Sequence, residues 1–294
     1  MSARNPLLLS LAALVFASAV SHAQTADVAL AAFKAGAWPQ VFEAVKDVPA
    51  NAADRPKALY VAGEAYLVVG DFAQAEASFR AVLAARPEAV PAKLGLGRAL
   101  CARGELKEAE ELLTELAFLE TKDALVKQAA GVLLAKQNQP ERARKLFVEA
   151  LALEPKSAEI ARAYCEFLWS TNADDDAAKV AAAFAKAQPK HAMTPFLQAI
   201  AFERANEPKK AIEAYEKVLV LDPKFLDAHK NLAILCHTRN PLYTDEARTK
   251  KALEHYAQYF ELGGRDAGLR QSYEQFKAFM DASMGSTKKE PRSK

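Results

Sequence analysis

The chain has 294 residues, 51% hydrophobic and 26% charged, which is enough apolar material for a large core and too much for a disordered polymer. Its formal charge is +2, with no sizeable block of one sign before the C-terminal tail. That argues against nucleic acid as a partner, because such binding usually needs a concentrated basic face. Abundant Ala, Leu, Glu and Lys, with few strictly alternating Val/Ile/Thr runs after the first twenty residues, favour helices over strands.

Residues 1–23 read as a targeting segment. Arg4 supplies a positive start, PLLLSLAALVFASAV is an apolar run, and Ser21-His22-Ala23 precedes Gln24 in the manner of a cleavage site. A retained membrane anchor is the alternative. The run from Pro6 to Val20 is 15 residues with two serines, short of the roughly 20 that a spanning helix needs. Cleavage after Ala23, export to the periplasm or cell envelope (or secretion), and no stable membrane span afterwards are therefore expected. No cysteine lies near Ala23, which argues against a lipid anchor.

A single spacing then dominates as far as Gly264. In steps of 34 residues, Ala29, Gly63, Gly97, Gly131, Cys165, Ala199 and Ala233 are all small. A second series twelve residues later is Val41, Ala75, Ala109, Ala143, Ala177 and Ala211. Between the two lie Gly36, Gly70, Gly104, Asn138, Asn172, Asn206 and Asn240, and Pro87, Pro155, Pro189 and Pro223 share one further phase. Small residues at facing positions let two helices approach closely, and Gly or Asn suits the left-handed residue just past a helix end. Pro140 and Pro208 fall where a second helix begins and a missing N–H does no harm, while the later prolines end that helix. Phe79, Phe147 and Tyr215 stand four residues after the second small position, on its face. The fifth unit has Asp174 at its turn and moves its bulk to Phe184.

In the seventh unit the pattern slips. The second small residue should be Asp245, but the phase resumes at Ala252, Tyr256, Tyr259 and Phe260, seven residues late, after NPLYTDEARTKK. Seven residues are about two helical turns, so a longer second helix starting near Thr244 would keep its face, and a local loop is the other option. Leu269, Tyr273, Phe276 and Met280 make a one-sided stripe suited to a capping helix over 265–282, and 283–294 read as a disordered tail.

This layout resembles the tetratricopeptide repeat family, whose unit is a 34-residue helix-turn-helix. The match is best over 56–89, through Gly63, Tyr66, Gly70, Asp71, Phe72, Ala75, Phe79 and Pro87. The resemblance implies an all-α fold, a right-handed superhelical solenoid of about seven units near 24–55, 56–89, 90–123, 124–157, 158–191, 192–225 and 226–264. It also implies that the first helix of each unit lines a groove at four set positions. Carried onto this chain, these give Tyr60, Glu64 and Leu67; Leu94, Arg98 and Cys101; Val132 and Ala135; Arg162, Glu166 and Trp169; Phe196, Ile200 and Glu203; and Lys230, Ile234 and His237. Trp169 and Phe196 could equally serve the core, as buried aromatics usually do, and Arg162 and Glu166 could simply pair with each other. Some members of the family grip a terminal carboxylate through Asn and basic residues of successive first helices. Asn231 holds such a position here, but Leu197, Ala163 and Ala129 hold its equivalents, so an internal extended or helical partner segment is expected instead.

Chemistry has little to build on. Cys101, Cys165 and Cys236 are too far apart in a regular repeat array to bridge and read as buried small hydrophobes, with Cys101 open to the groove as the alternative. His229 and Cys236 share a helix face but lie two turns apart, and His237 points elsewhere, so no metal site is expected. GLG at 95–97 lacks a preceding strand, and no nucleophile or zinc-hydrolase motif occurs. The expectation is a non-catalytic interaction scaffold without cofactor or metal. The alternatives are a self-associating structural protein and a binder of a small ligand such as a glycan fragment.

Overall fold

The computed structural model describes residues 25–46, 48–119, 122–238 and 245–286. The expected targeting segment, the Asn240 turn and the chain beyond 286 lie outside them. The described residues form fifteen helices and no strand. In chain order they are α1 Thr25–Lys34, α2 Trp38–Lys46, α3 Arg55–Val69, α4 Phe72–Ala85, α5 Val90–Arg103, α6 Leu106–Leu119, α7 Ala124–Lys136 and α8 Pro140–Leu153. There follow α9 Ala158–Ser170, α10 Asp174–Ala187, α11 Met193–Arg204, α12 Pro208–Leu221, α13 Leu226–Thr238, α14 Asp245–Glu261 and α15 Ala267–Ser286. The chain divides into two compact units, Met1–Ala99 and Leu100–Lys294.

Among the described residues, six hairpin turns are each made by one left-handed residue. Gly36, Gly70, Gly104, Asn138, Asn172 and Asn206 all have positive φ, between 56° and 85°. Asn tolerates this region better than other side chains and Gly adopts it freely. The residue after each donates its N–H back five residues, as in Asp71 to Tyr66 (2.9 Å), Gln139 to Leu134 (2.9 Å) and Ala173 to Leu168 (2.8 Å). That bond satisfies a helix-end carbonyl and fixes the direction in which the next helix leaves. Pro140 and Pro208 are the first residues of α8 and α12. At the other end Arg86, Glu154, Gln188 and Asp222 leave the helix at φ of −130° to −142°. Each precedes a proline, which disfavours helical backbone before it.

In the first unit, Phe79 of α4 is fully buried, and its ring fills the space that a side chain at Gly63 or Gly95 would occupy. A Cβ would meet that ring at 2.7 Å from Gly63 and at 2.4 Å from Gly95. Ala29, Val41, Val61, Ala62 and Ala65 form a further cluster against Trp38, Phe42 and Tyr66.

The second unit repeats the device with looser tolerance. Gly131 lies 3.2 Å, measured the same way, from the buried ring of Phe147, which stacks on Tyr164 and Phe167 at centroid distances of 5.3 and 5.2 Å. Its core runs through Cys165, Leu168, Phe184, Phe196, Leu197, Tyr215 and Leu232. First helices meet first helices here, α7 against α9 and α9 against α11, which is the packing of a repeat solenoid. In the seventh unit the second helix is longer by three residues, α14 having 17 against 14 in α12, and Ala252, Tyr256 and Tyr259 face inward; the preceding residues 239–244 lie outside the described residues. Leu269 and Tyr273 of α15 then pack on Ala233, Cys236, Ala252 and Tyr256. That helix runs on to Ser286, past the expected boundary at 282.

Candidate partner-binding face

The first-helix positions named from sequence divide by burial. Leu94 (8% exposed), Cys101 (2%), Trp169 (7%) and Phe196 (1%) are buried, so these side chains belong to the core. The open-groove alternative for Cys101 fails for this reason, because the side chain is buried. Burial also pushes the thiols of Cys101 and Cys165 up to about 11 and about 12, so they are protonated at neutral pH. Glu166 is exposed, and Tyr60, Glu64, Leu67, Arg98, Val132, Ala135, Arg162, Ile200, Glu203, Lys230, Ile234 and His237 are half-buried.

Several of these side chains are joined by polar contacts. In the first unit, Glu64 of α3 and Arg98 of α5 occupy equivalent places one repeat apart and pair at 3.2 Å. In the second unit, Arg162 of α9 reaches Glu166 at 2.7 Å on its own helix and Asp227 of α13 at 2.6 Å. Its guanidinium also lies 5.3 Å from the ring centre of Phe196 on the intervening α11. This contact combines two ion pairs with a cation–π interaction and bridges three consecutive first helices. The pairing of Arg162 with Glu166 was legible in their i, i+4 spacing. Asp227 was not foreseen, although 65 residues is two repeats less one helical turn, which is the signal that could have found it.

A second network lies beside the first. Asn231 donates from Nδ2 to the Tyr215 hydroxyl at 2.8 Å, and Tyr215 donates to Glu203. Burial raises the Glu203 carboxyl above its usual range, and the hydrogen bond from Tyr215 opposes that rise. The Asn in the carboxylate-grip position is therefore engaged within the fold. Lys230 lies 3.8 Å from Asp266, and His237 contacts the Tyr256 hydroxyl at 2.8 Å and the Phe276 ring at 4.2 Å. His237 thus ties α13 to α14 and to α15. Among the described residues no cluster of three or more His, Cys, Asp or Glu side chains could hold a metal ion, and no helix is long and apolar enough to cross a membrane.

Family models described as tetratricopeptide repeat match residues 66–133, 134–193 and 196–261. The chain belongs to the tetratricopeptide repeat family. No curated protein matches it. Among solved structures, a tetratricopeptide repeat protein from Parabacteroides merdae is similar with a TM-score of 0.55 and 13% identity, over 87% of this chain and 99% of that one. Yeast Tom70 is similar with a TM-score of 0.61 and 17% identity, over 83% of this chain and 53% of its own. The APC/C hetero-tetramer Cut9–Hcn1 gives a TM-score of 0.50 and 15% identity, over 84% and 48%. At these identities the likeness extends to the fold, an all-helical repeat solenoid. Tetratricopeptide repeats in general support a protein–protein interaction scaffold.

Proposed function

We propose that this tetratricopeptide repeat protein is a non-catalytic scaffold of the cell envelope that binds an internal, extended or helical segment of a protein partner along its first helices. The observation that carries this reading is the partly open first-helix face of the second unit, where Arg162, Glu166, Ile200, Lys230 and Ile234 combine charge with aliphatic surface. Its ion pairs are partly exposed, so a partner's charges can reach them. Family membership supports the interaction role, and the layout of residues 1–23 supports export.

A photo-crosslinking side chain at the exposed Glu166 tests the reading in cells, with the same group at the exposed Val148 on the second helix α8 as the comparison. The expected result is one dominant envelope protein joined through position 166 and absent from position 148. Equal capture at both positions, or none at 166, would remove the first-helix face from consideration.

A further inference from the structure

The terminal hairpin holds a pair of imidazoles to which the binding face assigns no role. His229 of α13 is 6% exposed, and His255 of α14 is half-buried beside it, with the two Nδ1 atoms 3.2 Å apart. The Nε2 of His229 lies 3.0 Å from the carbonyl oxygen of Pro223. A carbonyl can only accept, so His229 carries its proton on Nε2, and its Nδ1 is left as an acceptor. His255 must then donate from Nδ1. His229 is neutral in this arrangement, and a second proton on it would set two N–H groups against each other. A proton on Nε2 of His255 would keep the bond but place a charge on a ring that burial disfavours in its charged form.

We propose that this imidazole–imidazole hydrogen bond is a pH-sensitive latch, which holds α14 against α13 while both rings are neutral and releases α14 when the pair takes up a proton. The charged groups facing it are Asp222 in the loop before α13, Lys251 one turn before His255 on α14, and Glu216 of α12, which pairs with Lys251 at 3.4 Å. Burial depresses the proton affinity of both rings. His255 is lowered to about 4, with His229 and Lys251 adding to the effect, while the Pro223 contact and Asp222 partly restore His229. Release would uncover the inward face of α14, including Ala252 and Tyr256.

Hydrogen–deuterium exchange on the full chain at pH 7 and pH 5, corrected for the intrinsic pH dependence of exchange, tests the latch. Protection across 245–261 should fall on the order of tenfold or more while that of 158–187 holds. His255→Asn, which keeps a donor near the Nδ1 position but cannot titrate in this range, should abolish the difference. An unchanged 245–261 segment, an equal fall across 158–187, or the same pH response in His255→Asn would each overturn the latch. So would a change in protection on adding EDTA at pH 7, which would make the pair a metal site. Should the variant fail to fold, nitrogen-15 spectra of the wild-type rings remain decisive. Nε2–H on His229 and Nδ1–H on His255 are expected, and the reverse tautomers or a midpoint near 6.5 would refute the assignment.

Discussion

The hairpin of α3 and α4 and the hairpin of α13 and α14 occupy equivalent places in the repeat, yet different chemistry closes them. In the first, the Phe79 ring fills the space left by Gly63 and Gly95, an apolar contact set by shape. In the second, Ala233 and Ala252 keep the small-residue contact, but His229, His255, His237 and the Tyr256 hydroxyl add hydrogen bonds across the pair. Apolar interlock depends on shape and is indifferent to pH, whereas an imidazole contact depends on which ring carries the proton. One repeat pattern can therefore carry a sturdy hairpin and a conditional one.

The strongest way to break this contrast is Phe79→Ala. It empties a fully buried aromatic site and should cost about 3–5 kcal/mol in denaturant unfolding. A loss below about 1 kcal/mol would mean that the ring is not the plug described.

Acid should separate the two hairpins next. For His229 and His255 the folded-state proton affinity is depressed, so below the ordinary histidine value the unfolded chain binds more protons than the folded one. Stability is thus full above about pH 6.5 and falls as pH drops toward the folded value of about 4 for His255, by up to about 3 kcal/mol from that ring. Denaturant unfolding at pH 7 and pH 4.5 of wild type and a His229→Gln/His255→Asn double variant should show the wild type losing more.

Glycine substitutions sharpen the contrast within the apolar class. Gly95→Ala places a Cβ 2.4 Å from the Phe79 ring and should destabilise by about 1–3 kcal/mol. Gly131→Ala meets Phe147 at 3.2 Å, a gap that a small ring shift can open. The higher helix propensity of Ala, worth about 1 kcal/mol, should leave that variant within about 1 kcal/mol of wild type by thermal unfolding. The smallest effect belongs to the turns. Asn172→Gly at φ 56° should change stability by only a few tenths of a kcal/mol, while Asn172→Ala should cost about 1 kcal/mol.

These cases also show what could be read from the residues alone. The turns were legible because a positive φ restricts residue choice so severely that Gly and Asn recur in step. The small positions were legible because close helix contact excludes bulk, and both series are buried. The binding face was legible only as a set of positions. Whether Trp169 or Phe196 faces a partner or the core depends on neighbours a repeat away, which spacing does not specify, and both proved buried. His229 was weighed against Cys236 on its own helix, but its partner is His255. The seven-residue slip before α14 hid which residues of that helix would face α13.

The interlock itself is tested most directly by a double-mutant cycle on Gly95 and Phe79, using Gly95→Ala, Phe79→Leu and the pair in denaturant unfolding at pH 7. If the ring fills the space above Gly95, the smaller leucine should make room for the added methyl, and the two losses should fall short of additivity by about 1 kcal/mol or more. Losses that add within about 0.5 kcal/mol would show that the two sites do not touch, and the packing described for these repeats would be wrong.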